Sequence, residues 1–166
     1  MKKYFIFLFT LLISIKSFAC SCNKVNIKKS YKQSSFIFIG KVISVEEVKL
    51  KHKVHRENKE YFIESDKDVY TFEIEIIFKG EKKVKKINIS TNPDSTNCGY
   101  HFEKGKKYLV YSFKTDLEIN SYLDKNKRKV KPFYTTTFCT RTKLKSKVKA
   151  KEFKKLARYK RRFYKR

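Results

Sequence analysis

Cysteine spacing carries most of the chemistry this sequence can do: Cys20, Cys22, Cys98 and Cys139. Four such residues can ligate a metal, supply a nucleophilic thiol or close disulfides. Cys20-Ser21-Cys22 places one residue between its sulfurs, whereas structural zinc knuckles use two or more. The redox compartment decides among the remaining uses. Met1-Lys2-Lys3 is a positive n-region, Tyr4 to Ile15 an apolar run, and Ser17-Phe18-Ala19 a small-residue cleavage site. Residues 1–19 therefore read as a signal peptide cut after Ala19, which makes Cys20 the first mature residue. The apolar run is shorter than the ~20 residues that span a bilayer. Ser17 stands where a lipoprotein signal carries Leu, so Cys20 is expected to be free rather than lipidated. The expected location is secreted or otherwise extracytoplasmic, in a periplasm or at a cell surface. There, an even cysteine count in a small domain reads as a disulfide framework. Three pairings are possible, and a Cys20–Cys22 bond would close a very small strained ring, so each of these two is expected to reach a distant partner.

Other catalytic signatures are missing from the sequence. His52 and His55 lie in a polar stretch and lack the His-Glu-x-x-His spacing of a protease zinc site, and His101 stands apart from both. No Gly-rich phosphate loop or serine elbow occurs. Fully oxidised cysteines leave no thiol nucleophile. The expectation is a protein that is not an enzyme and has no cofactor or metal of its own.

The elements that would position the cysteines follow from patterning. The 166 residues suffice for one packed domain, and 15 Phe and 11 Tyr with only four Gly and two Pro exclude a collagen-like or generically disordered chain. Val25 to Gln33 reads as a short helix with Ile27 and Tyr31 on one face. The run from Phe36 to Val48 reads as a strand with a bulge or bend at Gly40. Residues 48–68 suit a long, polar hairpin tip. In Val69 to Lys79, Tyr70, Phe72, Ile74, Ile76 and Phe78 alternate with mostly polar residues, the mark of a half-buried strand. Further strands are expected over Val84–Ser90, Tyr108–Phe113 and Phe133–Phe138. Five short strands with a strongly bent first one suit an all-β fold with flanking helices, a five-stranded Greek-key barrel of the oligonucleotide/oligosaccharide-binding (OB) type.

Cys20-Ser21-Cys22, the short helix, the strand FIFIGKVISVEE, Cys98-Gly99-Tyr100 and Thr135-Thr136-Thr137-Phe138-Cys139 occur in the order found in one family. From Cys20 to about Lys145 the chain resembles the inhibitory domain of the tissue inhibitors of metalloproteinases, a netrin-like module. The resemblance implies two disulfides, Cys20–Cys98 and Cys22–Cys139, and a zinc metalloprotease as partner. A zinc protease keeps one coordination position for the attacking water. The α-amino nitrogen and carbonyl oxygen of Cys20 can close a five-membered chelate ring on that zinc and expel the water. By the same resemblance Ser21 points into the substrate-side-chain pocket. Cys22 and the loop Ser95, Thr96 and Asn97, tethered through Cys98, lie against the protease.

Charge adds an alternative expectation, a non-inhibitory netrin-like binding module. The chain carries 42 Lys and Arg against 16 Asp and Glu, a net charge of +26. From Arg141 to Arg166 there are 14 Lys and Arg and one acid, Glu152. Residues 146–166 read as a basic amphipathic helix or tail, with Phe153, Leu156, Ala157, Lys160 and Phe163 at helical spacing. Such a segment suits an anionic polysaccharide or membrane surface. A barrel of this topology can also take single-stranded nucleic acid, which export disfavours.

Overall fold

A computed structural model describes residues 22–23, 25–56, 59–92, 98–118 and 128–164. Helix α1 (Ile27–Gln33) precedes strands β1 (Phe36–Arg56), β2 (Lys59–Lys79), β3 (Lys86–Thr91), β4 (Lys107–Glu118) and β5 (Arg128–Thr135). The two-residue strand β6 (Lys143–Leu144), a 3-10 turn over Lys145–Lys147 and helix α2 (Ala150–Phe163) complete the chain. The sheet runs β1-β2-β3-β5-β4-β6, and β1 also pairs with β4, so five strands form a ring. The expectation of five strands is thus met by the ring and extended by β6, which pairs with β4 at its edge. The residues expected to form the signal peptide, 1–19, lie outside those described.

Two cores explain why β1 begins with an unbroken apolar run rather than an alternating one. Phe36, Phe38 and Val42 face the inside of the ring with Tyr70, Phe72, Ile89, Phe102 and Val110. Ile37 and Ile39 face outward, where Leu109, Phe78, Tyr31 and Leu156 cover them. Successive strand residues point to opposite faces, so burial of both faces requires apolar residues throughout. The second core lies beneath both helices and fixes them to the wall of the ring.

β2 departs from its expected alternation, because the β1–β2 register shifts between Ile37 and Phe38 and between Ile39 and Gly40. Each shift places an extra residue in β2, Phe78 in the first case and Glu75 in the second. Tyr70 and Phe72 point inward with Ile74, but the bulges then turn Ile77 towards the inner core and Phe78 towards the outer one. Ile76, expected among the buried residues, is left 42% exposed. The irregularity expected at Gly40 is a register shift between Ile39 and Gly40 whose extra residue lies in β2 rather than in β1. A Cβ on Gly40 would stand 2.8 Å from the carbonyl oxygen of Glu73, so the close approach of β2 needs glycine there.

Asn26 caps α1, its side chain accepting from the Lys29 N–H at 2.9 Å. At the other end the Lys79 ammonium, from β2, donates to the carbonyls of Tyr31 at 2.8 Å, Lys32 at 3.2 Å and Ser34 at 2.5 Å. The same ammonium lies over the Tyr31 and Phe163 rings. One cation therefore satisfies the carbonyl end of α1 and touches the end of α2. Among the described residues no helix is long and apolar enough to cross a membrane.

Candidate functional site

The parallel pairing of β3 with β5, Ile89 opposite Tyr134 and Ser90 opposite Thr135, determines where the cysteine loops meet. Parallel neighbours end at the same edge of a sheet. The chain leaving β3 leads to Cys98, and the chain leaving β5 leads to Cys139, so both loops emerge side by side. Phe138 donates its backbone N–H to the Cys98 carbonyl at 2.9 Å, joining the two loops directly. Cys22 reaches the same edge through its disulfide with Cys139, across a sequence separation of 117 residues. Closing so long a loop restricts the unfolded chain by roughly 4 to 5 kcal/mol in the loop-entropy model.

Of the two disulfides expected, Cys22–Cys139 is the one formed between described residues. Cys98 is also disulfide-bonded. The pairing expected for it, with Cys20, falls outside the described residues, as do Ser21, Ser95, Thr96 and Asn97. Of the residues expected to contact a protease, Cys22 and Cys98 are described, and they stand at one edge. His101, in the loop that follows Cys98, shares a 3.2 Å hydrogen bond with the Tyr70 hydroxyl, a contact within the barrel wall. The side chains of His52 and His55 lie outside the described set. Among the described residues no group of three His, Cys, Asp or Glu could hold a metal ion.

The Cys98-Gly99-Tyr100 turn is held from three sides. Cys98 adopts φ 55°, a left-handed conformation unusual for a side chain with a Cβ. Gly99 packs so tightly against Asn92 that a Cβ would overlap its carbonyl. Tyr100 donates its N–H to the Thr91 hydroxyl at 2.7 Å. Two residues on, Phe102 enters the inner core edge-on to Tyr70, Phe72 and Tyr108, with ring centroids 4.9 to 5.0 Å apart. Burial, reinforced by Tyr108, pushes the Tyr100 phenol up to about 12, so it stays a neutral hydroxyl at any physiological pH.

The Cys139 loop rests on a buried hydroxyl cluster. Thr136 donates to the Tyr111 carbonyl at 2.9 Å and shares hydrogen bonds with the hydroxyls of Thr140 and Thr142. The Thr142 hydroxyl in turn accepts from the Tyr111 N–H at 3.0 Å. Beside it Arg141 donates from Nε and NH2 to the two carboxylate oxygens of Glu152, each at 3.0 Å, and from NH1 to the Val25 carbonyl at 2.9 Å. Glu152 is 3% exposed and also accepts from Lys143 and from the Tyr111 hydroxyl. Arg141 thereby links the segment just after Cys22 to α2.

Sequence reasoning missed Arg141 and Phe138 as parts of this edge. Phe138 was expected to end a strand, but β5 stops at Thr135 and the Phe138 ring is 61% exposed. It lines a shallow depression with Cys22, Asn23 and Cys139. An available signal was the placement of Phe138 immediately before a cysteine and after three threonines, where hydroxyls can take over the backbone partners that a strand would supply.

A search of the curated proteins finds no match to the chain. The family model for tissue inhibitor of metalloproteinase matches residues 18–151, a span that contains all four cysteines and every strand described above. The chain belongs to the tissue inhibitor of metalloproteinase family, whose proteins are inhibitors and not enzymes.

Proposed function

We propose that this chain is a secreted inhibitor of zinc metalloendopeptidases that acts through a free mature N-terminus at Cys20. The observation that carries this reading is the convergence of Cys22, Cys98 and Cys139 on one edge, through the Cys22–Cys139 disulfide and the Phe138-to-Cys98 hydrogen bond. A terminus two residues ahead of a clamped cysteine has little freedom left, so docking would order few additional groups. A Cys20–Cys98 disulfide would complete the clamp. The Cys20 α-amine and carbonyl then chelate the protease zinc and displace its water. Ser21 enters the substrate-side-chain pocket, Thr96 and Asn97 flank it, and Phe138 adds an exposed apolar contact beside Cys22. The ring order β1-β2-β3-β5-β4 with its one parallel pair supports an OB-type Greek-key barrel as the scaffold.

Adding one Ala before Cys20 in the mature protein tests chelation. Inhibition of a zinc endopeptidase is expected to vanish while circular dichroism and thermal unfolding stay unchanged, because the extension converts the amine into an amide. Undiminished inhibition by the extended protein overturns the reading. Inhibition should also weaken in acid, since an α-amine with a pKa of about 7.7 to 8.0 loses its lone pair on protonation.

A further inference from the structure

Between the β2–β3 turn and α2 lies a depression of about 560 Å³ that shares no residue with the cysteine edge. Lys82, Lys85 and Lys160 line it, together with Tyr164 and the exposed Ile76. Glu75 is the one acid in the lining, and both its oxygens are taken, by Lys107 at 2.5 Å and by Lys145 at 3.2 Å. Lys82, Lys85 and Lys160 thus line a depression whose one acid is already paired with two lysines from outside the lining. Such a concave cationic surface concentrates anions. The walls are fixed in advance: the Tyr164 hydroxyl donates to the Gly80 carbonyl at 2.5 Å, and the Lys82 ammonium lies 4.3 Å from the Tyr164 ring centroid.

We propose that this depression binds a sulfated polysaccharide, with Lys82, Lys85 and Lys160 on the sulfate esters and Tyr164 and Ile76 against a sugar ring. Its size suits a saccharide unit. α2 argues against a bilayer as the partner, because most of its apolar face is already occupied and Phe163 is its one large apolar side chain left exposed. Leu156 is fully buried in the outer core, Phe153 packs on Phe78 and Tyr159 on Tyr31. An interfacial helix needs that face for the acyl boundary. The Cys22–Cys139 disulfide belongs to an oxidising compartment, away from the reducing cytosol and nucleus where nucleic acid is concentrated. The site is independent of protease inhibition.

Because the whole chain is basic, the test must separate this site from net charge. The full mature protein carrying Lys82→Gln, Lys85→Gln and Lys160→Gln is compared with one carrying Lys28→Gln, Lys29→Gln and Lys104→Gln, which removes equal charge from exposed positions elsewhere. Affinity for a defined heparin oligosaccharide is measured by calorimetry over a range of salt. The site variant is expected to bind at least about tenfold more weakly, with the slope of log K against log salt reduced by about two to three. The control should lose less than about threefold. Equal losses in the two variants overturn the proposal, as does binding to desulfated heparin, phosphatidylserine vesicles or single-stranded DNA that equals or exceeds binding to heparin.

Discussion

Glu152 is the single acid in a strongly basic segment, and its surroundings make it a structural anion. Burial alone would push its carboxyl up, but hydrogen bonds from Arg141, Tyr111 and Lys143 outweigh that and hold it below the usual carboxylate range. A carboxyl with a depressed folded pKa stabilises the fold above its unfolded value, near 4.3, and loses that contribution as pH falls through the folded one. The wild-type chain should therefore melt at progressively lower temperature below about pH 4, and Glu152→Gln should flatten that acid limb. At neutral pH the same substitution leaves Arg141 half-buried against an amide and is expected to destabilise the fold by about 3 kcal/mol, measurable by urea unfolding. A variant as stable as wild type at pH 7 would show that the pair contributes nothing net. The sequence displayed the isolation of Glu152 but not its role. Its partners lie 11 residues back in Arg141 and on a different strand in Tyr111, and only the folded ring brings them together.

Strands and helices were legible where a single physical rule governs them. The β-branched and aromatic run at Phe36, the helical spacing of Ile27 and Tyr31 and that of Phe153, Leu156 and Phe163 all form the elements their patterns indicate. The alternation over Val69 to Lys79 misled, because two bulges re-aim residues within a strand and no local residue type announces Glu75 or Phe78 as the extra one. Phe133 to Phe138 likewise read as strand throughout, and Phe138 instead serves the cysteine edge. Lys79 was equally silent in the sequence, although it closes the carbonyl end of α1 from another element. Replacing it with Met retains the aliphatic stem and removes the ammonium. Three carbonyls lose a charged donor, so Lys79→Met is expected to destabilise the fold by about 2 kcal/mol. Hydrogen exchange should report faster opening of α1 amides, while amides within β3 remain protected. Uniform loss of protection across both elements would mean that Lys79 acts on the barrel rather than on the helix.

For the whole molecule the governing fact is that the ring has two apolar surfaces and only one of them is inside. Tyr31, Ile37, Ile39, Phe78, Leu109 and Tyr111 lie on or against its outer wall, and α2 supplies Leu156 to cover them, with Phe153 and Tyr159 packed at the margin. The helix that looks from its charge like an appendage is in this respect part of the fold, extending past the family-matched span, which ends at residue 151. Its cations occupy the outward face because the inward one is committed to the wall. Burying a large apolar side chain contributes about 1.5 to 3 kcal/mol, so losing Leu156 and the partly buried Phe153 and Tyr159 removes roughly 5 kcal/mol. Net stabilities of domains are only about 5 to 15 kcal/mol. A chain ended after Lys149 would lose Glu152 as well, leaving Arg141 without its carboxylate partner. Such a chain is expected to bind 8-anilinonaphthalene-1-sulfonate strongly and to unfold without a sharp thermal transition, even with Cys22–Cys139 intact. Point substitutions on the solvent-facing side of α2, such as Lys154→Gln with Arg158→Gln, should leave the transition within a few degrees of wild type. A shortened chain that melts cooperatively at the wild-type temperature would place all of the stability inside the ring and reduce α2 to a passenger.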